Sequence, residues 1–173
     1  MSHVSYSEIK IWNECPFKHK LQYIDKIEGF KGNLHTAFGT AIHSVCEVGL
    51  LNENVDREKH FLDEFANEVL SLKEKDVEID ASLYEQMMGQ YKPIISSFRD
   101  ELDNYFEDCE VVSTEEKLYE DIEGHDLKFK GFIDLVVKTK DGKYHILDWK
   151  TCSWGWDSRK KSDKIINYQL TLY

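Results

Sequence analysis

Two aspartates, a lysine and a histidine supply the chemistry in this chain. Asp134 sits in Lys130-Gly131-Phe132-Ile133-Asp134-Leu135-Val136-Val137 and Asp148 in Tyr144-His145-Ile146-Leu147-Asp148-Trp149-Lys150, each carboxylate in mainly apolar company. The β-branched runs flank Lys140-Asp141-Gly142-Lys143 and read as a β-hairpin. With a strand period of two, Asp148 and Lys150 share a face. Ionised groups in a central sheet are costly without compensation. A divalent cation held by both carboxylates compensates, leaving Lys150 to contact a substrate anion or an attacking water. A solvated Asp148–Lys150 ion pair is the plainer alternative, but it explains neither His43 nor the facing aspartates.

The turn decides whether Asp134 joins Asp148. A two-residue loop at Asp141-Gly142 would pair Asp134 with Trp149 and separate the aspartates. A three-residue loop, Lys140-Asp141-Gly142 with Gly142 left-handed in a bulge, pairs Thr139 with Lys143 and therefore Asp134 with Asp148. Facing like charges repel in a bare hairpin. A cation between them is the simplest reason to tolerate the arrangement.

The elements that must position these groups follow from periodicity. Ser5 and Glu8 fit a capping box opening a short helix that stops near Cys15-Pro16. An amphipathic segment from Phe17 to Ile27 follows, with Leu21, Tyr23, Ile24 and Ile27 apolar, then a loop over 28–35. Thr36 to Leu51 reads as a helix with Ala37, Ile42, Val45, Cys46 and Leu50 inward. On it Gly39 lies one turn before His43 and Glu47 one turn after; a glycine there costs up to ~1 kcal/mol, so something packs closely against it. Residues 56–75 and 80–108 read as long charged helices, the first burying Phe61, Phe65, Val69 and Leu72, the second broken or kinked at Pro93. Residues 110–119 form a strand. A loop at 151–157 carries Trp154 and Trp156, and a last helix from Ser162 or Asp163 places Gln169 and Tyr173 on one face.

The 173 residues suit one domain with an ordinary globular composition. The net charge of −11 is unevenly placed: residues 53–123 hold 22 acidic and 7 basic side chains, the remainder 11 acidic and 15 basic. Screening beyond ~10 Å lets a basic groove coexist with a distant acidic face. Cys15, Cys46, Cys109 and Cys152 are widely spread and indicate neither a zinc ribbon nor a disulfide framework. No apolar run approaches a membrane span and no basic-then-apolar leader opens the chain, so a cytoplasmic protein is expected.

Gly39-x-x-x-His43, Gly131-Phe132-Ile133-Asp134, Asp148-Trp149-Lys150-Thr151 and Gln169-x-x-x-Tyr173, preceded by Ser5-Tyr6-Ser7, Cys15-Pro16-Phe17 and Tyr23, resemble the RecB-like branch of the PD-(D/E)xK nuclease superfamily. That branch includes the RecB and AddB nuclease domains and the CRISPR-associated exonucleases. Each motif alone is weak; five in order are specific. The resemblance implies a restriction-endonuclease-like α/β core, a central mixed sheet flanked by helices, forming one domain over 1–173 with 53–108 as an acidic helical insert. It implies Mg²⁺ or Mn²⁺ held by His43, Asp134, Asp148 and the Trp149 carbonyl. Lys150 would activate water and stabilise charge, while Gln169 and Tyr173 orient the lysine and the DNA.

The implied activity is metal-dependent DNA hydrolysis, most simply exonucleolytic on single strands or ends, in recombination, repair or phage DNA processing. A recombination or helicase protein is the implied partner. A structure-specific endonuclease and a non-catalytic DNA-binding or scaffold module are the alternatives. Some relatives hold a four-cysteine iron–sulfur cluster. Cys15 matches its first position, but no trio follows Tyr173, so no cluster is expected and Cys15 is read as a buried thiol. The family core usually continues past the Gln169–Tyr173 helix with a further strand and helix.

Overall fold

The computed structural model describes residues 3–27, 29–152, 155 and 157–173. The loop tryptophans Trp154 and Trp156 lie outside them. The architecture is α/β, a mixed four-stranded sheet flanked by helices. β3 (Lys128–Lys138) is its spine. Along one edge it pairs antiparallel with β2 (Glu110–Asp121). Its other edge is shared: β1 (His3–Ser5) runs parallel to Lys128–Lys130, and β4 (Tyr144–Leu147) antiparallel to Leu135–Lys138. The stretch 131–134 lies between these two partners.

The hairpin register follows the three-residue turn. Leu135 pairs with Leu147 and Lys138 with Tyr144, and the Thr139 N–H donates to the Lys143 carbonyl at 2.9 Å. The Gly142 N–H closes the turn onto the Thr139 carbonyl, also at 2.9 Å. Gly142 has φ +82°, a conformation costly for a residue with a Cβ. Gly142→Ala should therefore lower Tm by about 2–4 °C, the scale for ~1 kcal/mol in a domain of this size, in a thermal melt. The strand itself is shorter than expected. β4 stops at Leu147, so Asp148 and Lys150 follow it outside the ladder, in chain without regular secondary structure.

α3 (Leu34–Leu51) starts two residues earlier than its apolar period suggests, because Asn33 caps it. The Asn33 side chain accepts from the Thr36 N–H, and the Asn33 N–H donates to the Thr36 hydroxyl, a reciprocal box. The expected inward residues are buried, joined by Leu34, Phe38, Ala41 and Gly49. α4 (Arg57–Glu74) buries Phe61, Phe65, Val69 and Leu72 as its pattern demands. α5 (Ala81–Phe106) passes through Pro93 as one helix, so of the expected break or kink the break does not occur. Proline removes only one intrahelical donor, and five buried anchors (Met87, Tyr91, Ile95, Phe98, Leu102) hold both halves to the core. Phe61 stacks on Phe65 and Tyr91 with centroids 5.5 and 4.3 Å apart. Leu135 and Val137 bring β3 into the same cluster, so the three long helices and the sheet share one core.

α1 (Tyr6–Glu14) is capped by Ser5, whose hydroxyl accepts from the Glu8 N–H at 3.2 Å. The Glu8 carboxylate turns to His19 Nε2, 2.8 Å away, in place of completing a box. The next segment is irregular: α2 (Pro16–His19) gives way to a π-helical turn over Lys20–Ile24. Of its apolar residues Leu21 and Tyr23 are half-buried, while Ile24 and Ile27 are 65% and 55% exposed. Cys15 is only half-buried, whereas Cys46 and Cys109 are the buried thiols. A short α6 (Ser158–Ser162) precedes α7 (Lys164–Leu172), capped by Asp163. The Tyr6 hydroxyl donates to the Ile165 carbonyl at 2.7 Å, tying α7 to α1.

Candidate metal and phosphodiester site

β3, the segment after β4, and α7 bring Asp134, Asp148, Lys150, Gln169 and Tyr173 into one cavity of about 360 Å³, with Ser5, Tyr6 and Ser7 on its wall. Lys150 Nζ pairs with Asp148 Oδ2. The Gln169 amide donates one hydrogen to Asp148 Oδ1 at 2.5 Å and another to the Tyr173 hydroxyl at 3.1 Å. The four-residue spacing on α7 thus yields the shared face read from sequence. Trp149 touches the site through its backbone N–H, which donates to Asp134 Oδ2 at 2.7 Å.

His43 enters from α3, with Nδ1 3.5 Å from Asp134 Oδ2. It opens a second cavity of about 430 Å³, lined also by Gly39, Thr40, Ser44, Glu47 and Glu115. His43, Glu115 and Asp134 form the cation-sized cluster, their ligand atoms all within 4.8 Å of one another. Asp148 stands outside that cluster, held by Lys150 and Gln169. Asp134 belongs to both groups and joins them.

Sequence reading overlooked Glu115. On β2, Thr114 pairs with Leu135 and Glu116 with Ile133, so Glu115 stands across from Asp134. Its φ of +48° is the left-handed region inside a strand, a distortion of about 1–2 kcal/mol for an L-residue. Such strain concentrates at functional sites, where it re-aims a side chain. The available signal was an acidic pair, Glu115-Glu116, in a strand beside the hairpin.

Electrostatics agree with a site short of positive charge. Burial pushes the Asp134 carboxyl above its ordinary value, and Asp148 adds to this against the opposing pull of the Trp149 N–H, His43 and Lys150. Burial, then Asp134, then Glu47 push Glu115 the same way. Tyr173 and Tyr6 are raised first by burial, with Asp148 adding to both. Two partly desolvated carboxylates and an imidazole form a mixed oxygen–nitrogen donor set that a hard or borderline divalent cation fits.

Two close approaches hold the halves together. A Cβ at Gly131 would lie 2.6 Å from Tyr173 Cε1, so only glycine lets that ring cover β3. Gly131→Ala should displace Tyr173, weaken the Gln169 bond and cut activity more than stability. Paired cleavage rates and melting curves would test this. At Gly39 the expected neighbour is Thr151, whose Oγ1 would be 3.1 Å from a Cβ.

A model of the PD-(D/E)XK nuclease superfamily matches residues 3–173, and the chain belongs to that superfamily. This makes it a nuclease by class, of a superfamily that uses divalent metals. No curated protein matches the chain. Among the described residues, no helix is long and apolar enough to cross a membrane.

Proposed function

We propose that the protein hydrolyses DNA phosphodiester bonds with Mg²⁺ or Mn²⁺, acting as an exonuclease on single strands or ends in recombination, repair or phage DNA processing. The observation that carries this is the double membership of Asp134. It belongs to the His43–Glu115–Asp134 cluster and to the cavity holding Asp148 and Lys150. His43, Glu115 and Asp134 hold the cation, with Asp148 completing the set. The cation supplies Lewis acidity towards the phosphate and a water acidic enough to attack.

The remaining work falls to the chain. Lys150 lies between Asp148 and three open grooves, where its ammonium meets the phosphate and offsets its developing charge. Gln169 fixes Asp148 and Tyr173 together, so acid and strand-contacting hydroxyl move as one. We assign the acidic helical segment 53–108 to scaffolding α3, against which its two long helices pack. The experiment is cleavage of end-labelled single- and double-stranded DNA with Mg²⁺, Mn²⁺ or EDTA. Metal-dependent release of short products from single strands is expected. DNA binding with no cleavage in either metal would replace this reading with a non-catalytic DNA-binding module.

A further inference from the structure

The segment Lys150-Thr151-Cys152 is a ridge between two unlike grooves. One side, about 620 Å³, carries Lys10, Lys18 and Lys160 beside Tyr6 and Ser7. The other, about 300 Å³, lies between α3 and α5: Phe38 and Met87 form its floor, and His35, Gln90 and Ile94 form its rim. Lys150, Thr151 and Cys152 line both. The close contact of Gly39 with Thr151 presses the second groove against the ridge, beside Lys150.

A nucleic-acid strand has the same division, an anionic backbone on one side and flat, largely apolar bases on the other. We propose that the α3–α5 pocket accepts one unpaired nucleobase of a DNA strand whose phosphates follow the lysine-lined groove, so that the strand straddles Lys150. This rests on the nuclease reading and adds where an unpaired strand is held. The pocket has an aromatic and a thioether floor for a base face. Gln90 and His35 offer hydrogen bonds to a base edge at the rim. Lys10, Lys18 and Lys160 on the opposite side, with Lys150 on the ridge, match the backbone charge, and Glu14 there is paired to Lys18 at 3.0 Å. A paired base cannot enter without leaving its stack, so the pocket selects single strands or frayed ends.

The test is metal-free binding, read by fluorescence anisotropy in EDTA, with a labelled thymidine 12-mer, the same strand as a duplex, and a set of 12-mers each lacking one base. The unpaired strand should bind at least about tenfold tighter than the duplex, the scale of one or two stacked bases. Loss of affinity should peak at a single abasic position. His35→Ala/Ile94→Ala, both rim positions, should weaken the single strand about fivefold and leave the duplex unchanged. Lys10→Ala/Lys160→Ala should weaken both forms and flatten the salt dependence. Equal binding of single strand and duplex, a flat abasic profile, or equal losses for both forms in the rim variant would each overturn the base pocket. Because no metal is present, these outcomes are independent of cleavage, whose failure would strike the nuclease reading instead.

Discussion

Lys150→Ala should lower DNA cleavage by roughly a hundredfold or more, the scale of losing one preorganised stabiliser of transition-state charge. Cation affinity should stay the same or rise. None of His43, Glu115 or Asp134 is altered, and Asp148 loses the ammonium that competes for its carboxylate. Lys150→Arg should not restore activity, because a planar fork cannot take the place of a compact ammonium between Asp148 and the cavity. Single-turnover cleavage at saturating Mn²⁺, paired with calorimetric Mn²⁺ titration, separates the two quantities. Normal cleavage by Lys150→Ala would move the chemistry elsewhere in the protein.

Asp134→Asn should abolish cleavage and reduce cation affinity by more than the roughly ten- to hundredfold typical of losing a supporting partner. It should also stabilise the metal-free protein at neutral pH. The folded state holds the Asp134 proton more tightly than the unfolded chain does, because burial disfavours the carboxylate. Stability is therefore lost as pH rises from the ordinary aspartate range through the raised folded value, and is retained below it. Asparagine removes that loss while its side-chain oxygen still accepts from the Trp149 N–H. Melting curves in EDTA should converge at low pH, with the variant higher at neutral pH. A variant less stable than the parent at neutral pH would make Asp134 a structural ion-pair member.

Removing Asp148 should have the opposite effect, for a reason that lies in its partners. Facing aspartates in a bare hairpin suggest that removing either relieves repulsion. In the structure Asp148 is already compensated by Lys150 and Gln169, so its removal strands two partners. The acid surplus that burial leaves under-compensated is Asp134 with Glu115.

What could be read in advance was what local geometry determines. Gly142 sets the turn, the turn sets the register, and the register brings Asp134 towards Asp148. The apolar periods of α3 and α4 name their buried faces because burial alone decides them. Glu115 was hidden because its alignment depends on a register change between Val111 and Ser113 and on the irregular turn after Asp121. Neither leaves a pattern in residue types. Lys150 reached Asp148 for a different reason from the one periodicity supplied. The strand ends before both residues, and the ion pair forms in the irregular chain beyond it. The exposed Ile24 and Ile27 show the limit of pattern reading, since an apolar stripe states what could be covered and not whether anything covers it.

The divided edge of β3 has a practical consequence. Between the stretches claimed by β1 and β4, the Trp149 amide is bonded to the Asp134 carboxylate and not to a carbonyl of the ladder. A ladder bond is indifferent to protons and ions, but this one shares its acceptor with whatever else Asp134 binds. The amide is thus a built-in gauge. Its rate of hydrogen exchange with solvent, and its nitrogen chemical shift, should track protonation and cation loading of Asp134 while neighbouring amides of β3 stay constant. Occupancy of the site becomes readable at one backbone nitrogen, without substrate.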